Sequence, residues 1–89
     1  MDTIIQDERV CYRCGKPEPL HLHHCLAGSY KGDAEKLGLK IYLCPTCHRE
    51  VHDHEDIMKE YRKMAQIKAM EFYGWTADEF IKRIGRSFL

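Results

Sequence analysis

The sequence predicts a small α+β fold held together by bound metal, and three observations carry that expectation. Two Cys-x2-Cys knuckles, Cys11/Cys14 and Cys44/Cys47, stand 29 residues apart. Two short runs, LHLHH from Leu20 and LKIYL from Leu39, have the length and residue types of strands. Beyond Pro45 the apolar residues change to helical spacing.

With 89 residues the chain is expected to form one domain, 1–89, with a metal-bearing part over 11–53 and a helical extension over 54–89. A core of that size is small, and domains in this range commonly add a metal, disulfides or a partner. The opening MDTIIQDERV turns polar after Ile5, so no secretory leader is expected. No run approaches the ~18 apolar residues of a membrane span. Without an export signal, cysteine pairs read as metal ligands in a reducing cytosol, and a cytoplasmic location is expected.

Taken in order, residues 1–10 read as a lead-in. The CYRCGKP turn brings Cys11 and Cys14 together, with Gly15 allowing a tight backbone. In LHLHH, strand alternation puts Leu20 and Leu22 on one side and His21 and His23 on the other. The glycine-containing stretch 27–38 reads as a loop with one helical turn over Asp33–Leu37. LKIYL then returns as the second strand of an antiparallel hairpin. A helix starts at Pro45, which suits a first turn, and runs to His52 or Asp53. An amphipathic helix is expected over Ile57–Tyr73, with Ile57, Tyr61, Met64, Ala65, Ile67 and Met70 or Phe72 inward and Gly74 as its stop. Met58, Met64 and Met70 are expected to fill core space. Thr76 and Glu79 spell a capping box, with Trp75 and Phe80 as its hydrophobic staple. A last helix runs to Ile84, and Phe88 and Leu89 fold back.

Lys and Arg total 14 against 14 Asp and Glu. Basic and acidic residues number three and four over 1–30, four and three over 31–52, and seven and seven over 53–89. Bulk charge therefore does not drive nucleic-acid binding, and any such contact must come from a local patch.

Each Cys-x2-Cys knuckle offers two thiolates, and Cys11, Cys14, Cys44 and Cys47 together complete a closed tetrahedral zinc site. Four thiolates leave no position for substrate, so this zinc is structural. Cys25 reads as a small buried hydrophobe. His48 and His52, four apart on a helix, project from one face and can share a second ion. His23 and His24 are strand neighbours pointing opposite ways, so one can join that ion while the other stays free. Three ligands and an open position describe a catalytic metal. The plainer alternative makes the His48/His52 pair solvated, or makes His48 a support of the knuckle beside it. His21 and His54 read as solvated.

The text HHCLAG followed by LKIYLCPTCHREVH resembles the HNH nuclease family, over about Cys11 to His52. It is closest in pattern to small bacteriophage and mobile-element proteins with four-cysteine knuckles. The resemblance implies a ββα-metal finger. By position it makes His23, His48 and His52 ligands of the catalytic metal and His24 the general base. It implies metal-dependent DNA endonuclease or nickase activity in a bacterial host cell. The second ion would be zinc, nickel, manganese or magnesium, with imidazole ligands suiting zinc or nickel better than magnesium. The family's asparagine position is Leu39 here, and the chain contains no asparagine. Lys31, Lys40 and Arg49 are candidate phosphate contacts. The competing reading is a catalytically weak or inactive zinc module that binds nucleic acid or a protein partner. A purely structural zinc domain is the third. The helical tail can serve as a homodimer surface or as a cover for the rest of the domain.

Overall fold

The computed structural model describes residues 3–89, so the first two positions of the expected lead-in lie outside the described residues. Strands β1 (His21–His24) and β2 (Lys40–Leu43) form the expected antiparallel pair, with His21 opposite Leu43, Leu22 opposite Tyr42, His23 opposite Ile41 and His24 opposite Lys40. Residues directly opposite share a face. His21, His23, Ile41 and Leu43 therefore share one face, and Leu22, His24, Lys40 and Tyr42 share the other.

The faces alternate along β1 as expected, and the face carrying His23 is the covered one. Leu22 is 40% exposed and His23 only 3%. The reason lies in what covers the sheet. Helix α2 (Pro45–Asp53) packs over the histidine face, and its His48 ring meets both His21 and His23.

The connection between the strands is more helical than expected. A 3-10 turn, Gly28–Tyr30, leads into α1 (Lys31–Leu37), which buries Ala34. Gly38 closes α1 in the left-handed region, at φ 75°. A Cβ there would also sit 3.1 Å from the Ile4 side chain and 3.2 Å from the Ile4 nitrogen, so only glycine fits on both counts. The Ile4 N–H donates to the Gly38 carbonyl at 2.9 Å. Further along, the Thr3 hydroxyl donates to the Lys40 carbonyl, the Tyr42 N–H to Gln6 Oε1, and the Tyr12 N–H to the Tyr42 carbonyl. The lead-in thus occupies the outer edge of β2, whose four residues are all buried.

Helix α3 (Glu55–Tyr73) starts two residues before the expected Ile57, because Glu55 and Asp56 favour the positive N-terminal end of its dipole. Its inner face includes Ile57, Tyr61, Met64, Ala65, Ala69 and Met70. Ile67 was expected inside and is 44% exposed; of the alternatives Met70 and Phe72, Met70 packs inward and Phe72 is 54% exposed. Gln66 takes the inward place instead, fully buried. Its amide oxygen accepts from the Phe88 N–H at 2.6 Å and its nitrogen donates to Ser87 Oγ at 3.3 Å, so the C-terminal segment is tied to α3. Met58, Met64 and Met70 are half-buried against the core, in line with a packing role.

Helix α4 (Ala77–Ile84) opens on the expected capping box, with Glu79 N–H to Thr76 Oγ1 and Thr76 N–H to Glu79 Oε1 both at 3.1 Å. Phe80 is fully buried, while Trp75 stacks on Tyr73 at 4.7 Å and carries the Arg83 guanidinium over its ring. Of the two residues expected to fold back, Phe88 meets Tyr30 and Phe80 edge-on, and Leu89 stays 57% exposed. Leu26, Leu39, Ile41, Leu43, Val51, Ala65, Phe80 and Ile84 join in one core, drawn from both 11–53 and 54–89. No helix among the described residues is long and apolar enough to cross a membrane.

Candidate metal centres

The four knuckle cysteines converge. One sulfur from each of Cys11, Cys14, Cys44 and Cys47 lies within 4.8 Å of all the others, and the set can hold a metal ion. Local backbone explains the geometry. The Gly15 N–H returns to the Cys11 carbonyl at 2.9 Å and closes the first knuckle. Cys44 is the N-cap of α2, and its sulfur accepts from the Cys47 N–H at 3.4 Å. A tetrahedral ion with ~2.3 Å bonds to sulfur sets its ligands about 3.8 Å apart. The Cys14 and Cys44 sulfurs are 3.7 Å apart.

The electrostatics fit a cation. Burial opposes ionisation of Cys11, but backbone N–H groups at Cys44, Cys14 and Arg13 outweigh it and bring that thiol down to about 6. The Cys47 N–H lowers Cys44 as well. Cys47 goes the other way, pushed up to about 12 by burial and by the sulfurs around it. The cluster stabilises some thiolates and resists the rest, because sulfurs this close disfavour one another's ionisation. Cys25 is outside this group. It is 1% exposed, and burial pushes it up to about 12, so it stays a neutral thiol in the core.

Ring nitrogens of His23, His48 and His52 also lie within 4.8 Å of one another. His48 and His52 are one turn apart on α2, with their Nε2 atoms 3.1 Å apart. A tetrahedral ion with ~2.0–2.1 Å bonds would set two imidazole nitrogens about 3.3 Å apart. His23 comes from β1 and is walled by the rings of His48, His52 and Tyr61. Its Nε2 is a buried side-chain polar atom with no hydrogen-bond partner. Such an orphan is costly, and a metal ion is a partner of the right kind for it. Burial, and then the proximity of His48, His52 and His24, lowers His23 to about 4. Burial and the neighbouring His52 and His21 also lower His48. Both rings are therefore held neutral, the form that ligates metal.

His24 faces the other way, as its strand position requires. Its Nε2 lies 2.6 Å from Glu35 Oε2. The carboxylate accepts, so Nε2 carries a proton, and in the neutral ring Nδ1 is the bare nitrogen. The second Glu35 oxygen takes Lys40 Nζ at 3.2 Å. His24 and Lys40 are a cross-strand pair, and α1 hangs Glu35 over both. Hydrogen bonds from His24 and then Lys40 hold the Glu35 carboxyl below its ordinary value.

A cleft of about 290 Å³ joins His23, His24, His48 and His52, with Lys31 on its rim. Arg49 is exposed on α2. Lys40 does not fit its expected phosphate contact: its side chain is 5% exposed and paired inward with Glu35. Two contributors escaped the sequence. Glu35 sat in a stretch read mostly as loop, although an acid placed between the strands opposite a His/Lys pair is a usable signal. His21, expected to be solvated, places Nδ1 3.1 Å from His48 Nδ1, which leaves the His48 Nε2 edge toward His52 and His23. A hydrogen bond of that kind orients a ligating imidazole.

No protein-family model, curated protein or solved structure matches the chain.

Proposed function

We propose that the protein is a metal-dependent DNA endonuclease or nickase of the HNH type, built on a ββα-metal finger whose structural zinc sits on Cys11, Cys14, Cys44 and Cys47. His23, His48 and His52 would hold the second ion. The observation that carries this reading is the buried, unpartnered His23 Nε2 facing the His48/His52 pair, with a fourth histidine beside it that is tied elsewhere. The ion, when bound, supplies Lewis-acid stabilisation of charge on the scissile phosphate and the departing oxygen. The chain's own residues do the rest. His24 Nδ1 takes a proton from the attacking water, whose oxygen bonds to phosphorus as the bond to the 3′ oxygen breaks. Glu35 holds His24 Nε2–H and so leaves Nδ1 as the basic nitrogen. Lys31, which lines the cleft, and Arg49, exposed beside His48, are assigned to phosphate.

Leu39 stands at the family's asparagine position and is completely buried. Its carbonyl accepts from the Cys25 N–H at 2.9 Å, which pins the end of β1 just past His24. Backbone and packing thus supply the tether that a side chain provides in the family. The same substitution favours the second reading, a metal-loaded module that binds DNA without cutting it.

Plasmid nicking across several divalent ions separates the two. His24→Ala is expected to keep two ions per chain and lose about 10²–10⁴-fold in rate. His48→Ala is expected to keep only the cysteine-bound ion and to lose activity with the other. Wild type silent with every ion, or His24→Ala as fast as wild type, rejects the nuclease.

A further inference from the structure

A second groove, of about 610 Å³, opens between α3, the 3-10 turn and the C-terminal segment. Lys59, Arg62, Lys63 and Arg86 line it, with Tyr30 and Phe88 between them. Among the described residues, no acidic side chain lines it. In a chain whose charges cancel overall, four cations on one groove are a marked local excess. Arg62 is partly committed, since it pairs with Glu55. Lys59 and Lys63 are exposed and are one turn apart on α3, and such spacing sets their Cβ atoms about 5–6 Å apart on one face. Arg86 lies 4.7 Å over the Phe88 ring, and Phe88 meets Tyr30 edge-on at 5.6 Å. The buried Gln66 fixes Phe88 in that position.

The groove also has a direction. Ala27 lines both it and the histidine cleft, so the two adjoin at that residue. We propose that this groove binds the phosphodiester backbone of DNA flanking the bond held at the histidine cleft, with Lys59, Lys63 and Arg86 on phosphates and Tyr30 and Phe88 against a sugar or base. This rests on the nuclease reading for its ligand, but it makes the helical extension a substrate-binding element. Unpaired cations take up phosphate and release counterions, and aromatic faces between them suit nucleotides better than an acidic peptide.

The test is fluorescence anisotropy with the zinc-loaded full chain, in a His24→Ala background that prevents turnover. The probes are a short labelled DNA duplex and the single strand of the same sequence. Lys59→Ala/Lys63→Ala is expected to weaken binding about 50-fold at about 0.1 M salt and to lower the salt slope by about 2, one for each lost phosphate contact. Arg86→Ala should act in the same direction, and Lys68→Ala, an exposed lysine outside the groove, should change little. The probe with the larger loss identifies the form of DNA bound. In the active background the double variant should raise KM and leave kcat unchanged. Unchanged affinity and salt slope in the double variant overturn the groove, as does polyglutamate competing as well as DNA. Wild type that cuts, with groove variants that bind normally, removes the groove and leaves the nuclease intact. Groove-dependent binding with no cleavage under any ion does the reverse.

Discussion

Glu35→Ala is the perturbation that most directly probes how His24 is held. The wild-type carboxylate takes the His24 Nε2 proton at 2.6 Å and Lys40 at 3.2 Å. Its removal frees the imidazole to rotate and to exchange tautomers, so Nδ1 is the bare nitrogen only part of the time. Carboxylates that orient a functional imidazole are commonly worth about 10–100-fold. The surroundings set where in that range the effect falls. The His24 side chain is 20% exposed and Glu35 58% exposed, so water can replace the lost acceptor, and the expected loss is near 10-fold in kcat with KM unchanged. Glu35→Gln keeps an acceptor oxygen and should fall between wild type and alanine. Lys40→Met removes the other partner and leaves the His24 contact, so kcat should stay close to wild type. Single-turnover nicking of supercoiled plasmid, with metal content measured on each variant, is the assay. If Glu35→Ala cuts at the wild-type rate with both ions bound, Glu35 does not orient the base. If Lys40→Met loses as much as Glu35→Ala, charge balance rather than the hydrogen bond is responsible.

Cys44→Ser is expected to leave a chain without cooperative unfolding by circular dichroism, because a structural metal supplies much of the folding free energy of so small a domain; a folded, zinc-free Cys44→Ser protein would reject this. With no ion on the histidines, His23 titrates near 4 folded and near 6.5 unfolded. The unfolded chain then binds the extra proton between those values, so stability is full above about pH 6.5 and falls as pH drops toward about 4, by about 3 kcal/mol in all. Urea unfolding of wild type against His23→Gln isolates that slope, which should be absent from the variant. Gly38→Ala should cost more than Gly74→Ala, though both glycines have positive φ. The added methyl at Gly38 meets Ile4 and at Gly74 meets open space, so about 1 kcal/mol is expected at Gly74 from backbone strain alone and more at Gly38; equal melting temperatures would refute the steric part.

Patterns that are local in sequence were legible in it. The knuckle spacing foretold the cysteine cluster, and the four-residue spacing of His48 and His52 foretold a shared helix face. The capping box at Thr76 was readable because its partners are three residues apart. What failed depended on contacts between distant segments. Which face of β1 is covered could not be read from LHLHH itself, because the helix carrying His48 decides it. Ile67 lost its inward place to Gln66, whose partners Ser87 and Phe88 lie far along the chain. Lys40 looked like a free cation until α1 brought Glu35 over it.

Helix α2 carries Cys47, His48 and His52, and Cys44 caps it. One rigid rod therefore presents half of the cysteine set and two thirds of the histidine set, with Cys47 and His48 joined by a single peptide bond. An ion on the cysteines fixes the rod's start and so the direction of both its histidines. On the proposed reading the two binding events are thermodynamically linked, and each ion strengthens the other by the same factor. Metal supply then acts on both sites together: stripping the cysteine site weakens the histidine site without touching its ligands, and an ion on the histidines helps to retain the one on the thiolates.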